Sequence, residues 1–547
     1  MPPSNTTRRR SHWAWGWQDR EPGPEALERI ARRVSRALGV TLTPEPLPRI
    51  EAARVPAPRC AVPAALAAFC SDDREARLRH TYGRGYPDLV RAFRGDFAHA
   101  PDLVATPHDE AEIVATLEWA ERADVAVIPF GGGTSVVGGV EPDLEQDGGY
   151  AGALSLDLGH LDRVLEVDPV SRAARIQAGV MGPSLEAQLQ PYGLTLRHFP
   201  QSFEFSSLGG WIATRAGGHF ATLATHIDDL VESIRMVTPT GLWASRRLPA
   251  SGAGPSPDRL VLGSEGILGV ITEAWVRVQQ RPTWRASASV RFQDFDAAIA
   301  ALRDIVQANL YPANCRVLDP QEAFLNQVVD DGSAVLLLGF ESADGPRDAW
   351  IARALELARA HGGQTPDGVR IRTGEGTRDA PGDDPAGTWR NAFFEGPYLL
   401  NALVALGVIA DTFETACTWD RFDALHAGIC ARMLEALERV CGGGLLTCRI
   451  THAYPDGLAP YYTFVAPGRR GEELAQWAEL KAAASDAVLA LGGTITHHHA
   501  VGRRHRDGYD RERPEPFARA LRAMKAQVDP KGILNPGVLV PPLRASR

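Results

Sequence analysis

The spacing of apolar residues changes period repeatedly along the chain, and these changes divide it. Over 24–38 apolar positions recur at helical spacing, after which prolines punctuate the sequence through Pro63. Residues 1–95 therefore read as a helical and irregular leader that covers some other part of the molecule. A regular region follows: a short strand over 102–105, a helix over 109–123 with Ile113, Val114, Leu117 and Ala120 on one face, and a buried strand over 125–130. The segments 153–158, 164–167 and 174–178 alternate apolar and polar residues between turns and predict an antiparallel meander. A helix over 183–190 leads to a glycine-dense stretch at 206–218, and strand signals with tight turns fill 229–243 and 261–279. Past Arg281 and Pro282, a strand over 287–292, a helix over 295–308 and strands over 315–318 and 334–340 make an α+β unit. The stretch 364–389, rich in Gly, Asp, Pro and Thr, predicts a surface loop, and a helix over 515–528 precedes Asp529-Pro530 and Asn535-Pro536.

With 547 residues, 44% hydrophobic and 23% charged, the chain is too long for one hydrophobic core and fits two or three domains. That composition excludes a disordered, collagenous or coiled-coil protein. A net charge of -9 offers no basic footprint, so no nucleic-acid partner is expected. Only three residues are lysine (Lys481, Lys525, Lys531), and the rest of the 58 cations are arginine, a bias that codon usage in a GC-rich genome explains. The seven cysteines are odd in number, widely spaced and without a C-x-x-C pair, which suits free thiols in a reducing compartment. The opening segment carries arginines and tryptophans but no apolar stretch; it does not read as a Sec signal, and a cytoplasmic location is expected. The longest apolar run, 398–410, is shorter than the ~20 residues needed to cross a bilayer. It predicts a buried helix, or the wall of a channel for a lipid tail.

Glycines after a buried strand expose successive backbone N–H groups and let a phosphate approach closely. The segment 131–139 is such a cradle. It is not a Rossmann fingerprint, because Val136 stands at the third glycine position and strands rather than a helix follow. Nor is it a P-loop, since no Gly-Lys-Ser/Thr occurs in the chain. Three glycine-rich segments lie in one region: PFGGGTSVVGG (129–139), SSLGGWIATRAGG (206–218) and GSEGILGVITEA (263–274). Together they resemble the FAD-binding domain of the vanillyl-alcohol oxidase and p-cresol methylhydroxylase superfamily. The resemblance implies an α+β fold, with a two-subdomain FAD-binding domain over 96–281, a cap or substrate domain with a mixed or antiparallel sheet over 282–500, and a segment over 501–547 that returns to the flavin. It also implies FAD contacts for Pro129, Gly131, Gly132, Gly133, Thr134, Ser135, Ser207, Gly209, Gly210, Thr214, Gly217, Glu265, Gly266, Gly269 and Ile271. Some relatives tether the flavin through a histidine in the first loop; this loop has none, so non-covalent FAD is expected.

His497, His498 and His499 stand in sequence within GGTITHHHAVG (492–502). In an extended segment the outer two would point one way and His498 the other. No H-E-x-x-H or similar spacing accompanies them, so no metal is expected; imidazoles that bind phosphate or move protons fit better. From about Leu78 onward the chain is similar to the alkyldihydroxyacetonephosphate synthase family, of which this triplet is a hallmark. In that family the flavin acts without net redox turnover: a fatty acid leaves acyl-dihydroxyacetone phosphate and a fatty alcohol takes its place. The resemblance implies an acid role for Tyr461 in CRITHAYPDGLAPYYTF (448–464) and substrate contact for Arg316 in CRVLDP, alongside His497, His498 and His499. It further implies a small-molecule or lipid phosphate substrate, with room for a peripheral membrane contact and a homodimer. One departure stands out, for Leu400 and Asn401 occupy positions where the family carries arginine and aspartate near the flavin. The alternative is a D-2-hydroxyacid dehydrogenase of the D-lactate or glycolate type, disfavoured because His498 stands where those enzymes carry glutamate and Ala500 replaces their glycine. A non-catalytic flavin-binding protein is the third reading.

Overall fold

The apolar run Val125–Phe130 forms the strand around which the first sheet is arranged. In the computed structural model, which describes residues 8–144, 147–374 and 385–543, it pairs in parallel with Gly152–Asp157, which pairs in parallel with Leu103–Ala105; Cys70–Ser71 adds an antiparallel edge. The helix Glu110–Ala123 joins Leu103–Ala105 to Val125–Phe130. Its start is fixed by Asp109, whose carboxylate accepts from Glu112 N at 2.9 Å, and it ends at Asp124 in a left-handed conformation. The far edge of Val125–Phe130 is completed from the other end of the chain. Val127 N donates to Ile533 O at 2.8 Å and Asn535 N donates to Val127 O at 2.9 Å.

The second sheet is antiparallel and orders Val164–Asp168, Ala173–Gln177, Val270–Arg277, Val231–Thr238 and Gly241–Ala244. The expected three-segment meander is thus only half formed, because Gly152–Asp157 belongs to the parallel sheet. Burial on both faces decides the matter: Gly152–Asp157 has five buried residues in succession, whereas Val164–Asp168 is half exposed.

The third sheet carries the order Val369–Thr373, Trp284–Phe292, Ala334–Ser342, Asn314–Leu318, Leu445–Ala453, Gly457–Pro467 and Val408–Glu414, with Cys417–Thr418 paired to Gly457–Pro467. Helices Phe295–Gln307, Asp348–Ala360, Phe422–Cys441 and Glu473–Ala490 bury one face of it in a single apolar core. Strand Val369–Thr373 replaces part of the loop expected over 364–389; residues 375–384 of that stretch lie outside the described residues. The apolar run at 398–410 is likewise divided. Helix Pro385–Ala405 stops before Gly407, whose φ of 67° a helix cannot continue, and the β-branched Val408 and Ile409 open the next strand. No helix among the described residues is long and apolar enough to cross a membrane.

The leader is built into the body. Trp13 is fully buried and meets Phe93 edge-on at 5.1 Å, and helix Pro24–Leu38 sets Ala31 against Leu403 and Leu406. Asn401 holds it with both ends of its amide: Oδ1 accepts from Trp15 N at 2.8 Å and Nδ2 donates to Trp15 O at 3.0 Å. Asn401, which departs from the aspartate of the family it resembles, is therefore a buried amide with both groups satisfied.

Burial also holds two core histidines neutral, with His198 pushed down to about 3 and His505 to about 4. Both groups are unprotonated in either state above pH ~6.5, so their contribution is complete there. As pH falls below that value the unfolded chain takes up protons that the folded chain refuses, which costs about 2 kcal/mol per histidine by pH 5. Thermal unfolding followed by circular dichroism should show a melting midpoint that drops steadily from pH 7 to 5, and a flat profile over that range would refute the assignment.

Candidate active site

A cavity of about 760 Å³ opens between the glycine loops and the bare face of the third sheet. Strand alternation decides which side chains reach it. Along Gly457–Pro467, Tyr461, Thr463 and Val465 line the cavity, while Tyr462, Phe464 and Ala466 enter the helix-covered core. Tyr462 Oη meets His426 Nδ1 at 3.0 Å on that far side. Of the two adjacent tyrosines, Tyr461 is the one at the site. Its strand neighbours extend the row: Tyr461 pairs with Arg449 on one side and with Glu414 on the other. A register shift between Ile450 and His452 then turns Thr451 and His452 both toward the cavity.

Each of the fifteen residues expected to contact FAD lines this cavity, from Pro129 and the 131–135 loop through Ser207, Gly209, Gly210, Thr214 and Gly217 to Glu265, Gly266, Gly269 and Ile271. The loops pack too closely for side chains. A Cβ on Gly132 would fall 1.6 Å from Phe205 O, and one on Gly217 would fall 2.9 Å from His498 Cβ. Ser135 Oγ accepts from Gly139 N at 2.9 Å and folds the first loop; Ser207 Oγ accepts from Gly210 N at 3.3 Å and starts helix Leu208–Thr214 beside it. These backbone cradles, filled by no side chain, fit a flavin dinucleotide.

Glu265 serves a different contact from its neighbours. Its carboxylate turns to the histidine segment and accepts from Val501 N at 2.9 Å and Gly502 N at 2.7 Å. Burial pushes it up to about 7, against those two donors.

The histidine segment is not extended. It wraps around Glu414, a fully buried carboxylate that accepts from Thr496 Oγ1 at 2.7 Å, His498 N at 2.9 Å and His499 N at 2.8 Å. His498 Nδ1 stands 2.9 Å and His499 Nδ1 3.6 Å from the same carboxylate. Burial raises the Glu414 pKa, but the His498 ring that bonds it outweighs burial and holds the group well below the ordinary carboxylate range. His498 and His499 line the cavity together, and it is His497 that parts from them. His497 Nε2 bonds Tyr454 Oη at 2.8 Å and its carbonyl meets His226 Nε2 at 3.0 Å. Burial holds His497 and His452 well below the usual imidazole range and brings His499 to about 3, so these rings are neutral.

Tyr461 donates to Thr412 Oγ1 at 3.0 Å, lies over Arg449 at 4.0 Å and stacks on His498 at 5.9 Å. Burial raises its pKa, which keeps the phenol protonated. Arg316 is buried at the same cavity. It donates to His219 O at 2.8 Å, has no hydrogen-bond partner at Nε, and is pulled down to about 9 by burial and by the charge of Arg449. Arg449 is anchored on Glu322 at 2.8 Å. Glu414, Arg449, His452 and His219 were not identified from sequence; the strand register opposite Tyr461 would have pointed to the first two. Away from these groups the cavity becomes apolar, walled by Ile30 and Val34 of the leader helix and by Leu325, Leu399, Leu400 and Leu403.

Comparison with known proteins agrees with this geometry. The FAD binding domain family matches residues 101–245, and the family of FAD linked oxidases, C-terminal domain, matches residues 281–539. Alkyldihydroxyacetonephosphate synthase of Dictyostelium discoideum is 31% identical over 86% of this chain and 79% of its own, and the enzyme of that name from Trypanosoma brucei brucei is 30% identical over 86% and 78%. Glycolate oxidase subunit GlcD of Bacillus subtilis is 28% identical over 80% of this chain and 88% of its own. The solved structure of alkyldihydroxyacetonephosphate synthase in P1 superposes with a TM-score of 0.77 at 27% identity, covering 96% of this chain and 98% of that one. p-Cresol methylhydroxylase with substrate bound shares the fold, with a TM-score of 0.64 at 14% identity over 95% and 98% of the two chains. With relatives of this identity aligned over most of its length and theirs, the chain belongs to the alkyldihydroxyacetonephosphate synthase family of FAD-linked oxidases.

Proposed function

We propose that the protein exchanges the acyl chain of acyl-dihydroxyacetone phosphate for a fatty alcohol, with release of the fatty acid. The observation that carries this reading is the two-ended cavity: buried guanidinium and imidazole groups gather at one end, and an apolar arm leads away from them. A phosphate ester bearing a long chain needs both. FAD, when bound, supplies an electron-accepting ring that stabilises charge on the substrate skeleton without net redox turnover.

The proton chemistry falls to side chains. Tyr461 retains its proton at neutral pH and offers it to the departing carboxylate from the cavity wall. His498, which lines the cavity with His499 beside it, accepts a proton from carbon one or from the incoming hydroxyl. Glu414 holds both rings in place through their backbone N–H groups, and His497 supports them from behind the wall. Arg316 is the phosphate contact, as its partnerless buried Nε suggests. Leu400, where the family carries arginine, extends the apolar arm, and Asn401 spends its polar groups on the leader. Arg33 of the leader helix and the exposed Leu399 line the cavity beside its apolar arm, which supports chain entry and a peripheral membrane contact at this edge.

Purified holo-protein given acyl-dihydroxyacetone phosphate and a fatty alcohol should yield the ether product, detected by mass spectrometry, and should not reduce an acceptor dye with D-lactate. Dye reduction without ether product would instead assign a hydroxyacid dehydrogenase. Tyr461→Phe and His498→Ala are each expected to slow turnover by about 10²- to 10⁴-fold with flavin absorbance retained; unchanged rates would remove these residues from the mechanism. Acid precipitation should leave the yellow colour in the supernatant, since the first glycine loop has no histidine to bond the flavin.

A further inference from the structure

Two arginines beside the first glycine loop, the buried Arg84 and the part-buried Arg10, have no carboxylate partner. Arg84 lines the cavity. Its backbone N donates to Ser135 O at 2.7 Å and its Nη1 donates to Gly83 O at 2.7 Å, while its Nε is buried without a partner. Arg10 comes from the leader and reaches the loop from outside the cavity lining. Its Nη1 donates to Gly132 O at 3.1 Å and its guanidinium lies 4.4 Å from the Phe205 ring. Neither bonds a carboxylate. The acid whose field reaches Arg10, Asp157, is bonded to His80 Nε2 at 3.0 Å, and the one whose field reaches Arg84, Asp88, is paired with Arg91 and Arg504. Nearby Arg79 is matched by Glu75 at 2.6 Å. Burial pulls Arg10 down to about 9 and Arg84 to about 10, the mark of cations held out of water without compensation. Charge held out of water without a partner is costly, so two cations that bond no carboxylate next to a backbone cradle suit a dianion.

We propose that Arg84 binds the diphosphate of FAD directly and that Arg10, behind the loop, is a positioning residue that holds Gly132 and adds a second compensating charge, which makes the leader part of the cofactor site. The leader is fixed for this task. Asn401 clamps Trp15, and Trp15 and Trp17 both pack edge-on against Phe205, under the guanidinium of Arg10. The inference rests on FAD as the cofactor and concerns only which groups of this chain hold its diphosphate.

Riboflavin lacks the diphosphate and separates the two questions. Apo-protein prepared from the holoenzyme should bind FAD and, more weakly, riboflavin, both measured by flavin fluorescence. Arg84→Met is expected to raise the FAD dissociation constant about 10- to 100-fold and Arg10→Met about 3- to 10-fold, with riboflavin affinity unchanged within about twofold. Arg84→Lys should recover part of the loss, and Arg9→Ala, which alters an exposed arginine of the same segment, should recover wild-type values. Should Arg84→Met fail to fold, Arg84→Lys is measured in the holoenzyme, where faster release of FAD on dilution supports the proposal and an unchanged rate overturns it. Unchanged FAD affinity in both methionine variants, or equal losses for FAD and riboflavin, overturns it as well. Wild-type protein that binds neither flavin would overturn the cofactor reading itself.

Discussion

The buried carboxylate of Glu414 is the fixed point of the site. An ion without water costs several kcal/mol unless its lone pairs are filled, and here they are filled by Thr496 Oγ1 and the backbone N–H groups of His498 and His499. Two of those donors belong to the main chain of the histidine segment, so satisfying the charge dictates the path of the segment. Glu265 makes the same demand a few residues later, on Val501 and Gly502. One carboxylate comes from the third sheet and the other from the glycine-loop side. The imidazoles stand where the two layers meet because each layer holds one end of the same short piece of chain.

The abundance of arginine takes on meaning only inside the cavity. On the surface a guanidinium and an ammonium serve alike, and codon usage explains the choice. Arg84 and Arg316 are buried and Arg10 is part-buried, none with a carboxylate in contact. There a lysine would relieve its burial by giving up a proton, whereas a guanidinium stays charged and waits for an anion. The cavity thus carries positive charge at both the flavin loop and the reacting end. Leu400 belongs to the apolar wall of the same cavity, away from these cations.

What the sequence made legible followed from how locally each feature is encoded. Glycine loops are read easily because close backbone approach excludes side chains at consecutive positions, and all three segments meet at one cavity. Strand and helix periods give most elements, but fail at Gly152–Asp157, where alternation reads as part of an antiparallel meander and the strand lies in the parallel sheet, and at 398–410, where one apolar run serves a helix and a strand. Only the resemblance separates Tyr461 from Tyr462 in the sequence; strand parity explains it once the hairpin turn at Pro455-Asp456 sets the register. Glu414, His219 and Arg10 carry no local pattern. Each matters through a contact with a distant part of the chain, and a single residue of that kind leaves no periodic trace.

The parallel pairing of the tail with Val127 has a consequence for how the protein comes to exist. Asn535 reaches back 396 positions to donate to Gly139 O and also donates to Glu265 O, while its neighbours finish the edge of the first sheet. During synthesis those carbonyls and that strand edge stand open until residue 535 has left the ribosome. A domain near the start of a chain ordinarily folds first. Here the last contacts of the glycine-loop region, at Val127, Gly139 and Glu265, are made only after nearly the whole chain has been synthesised.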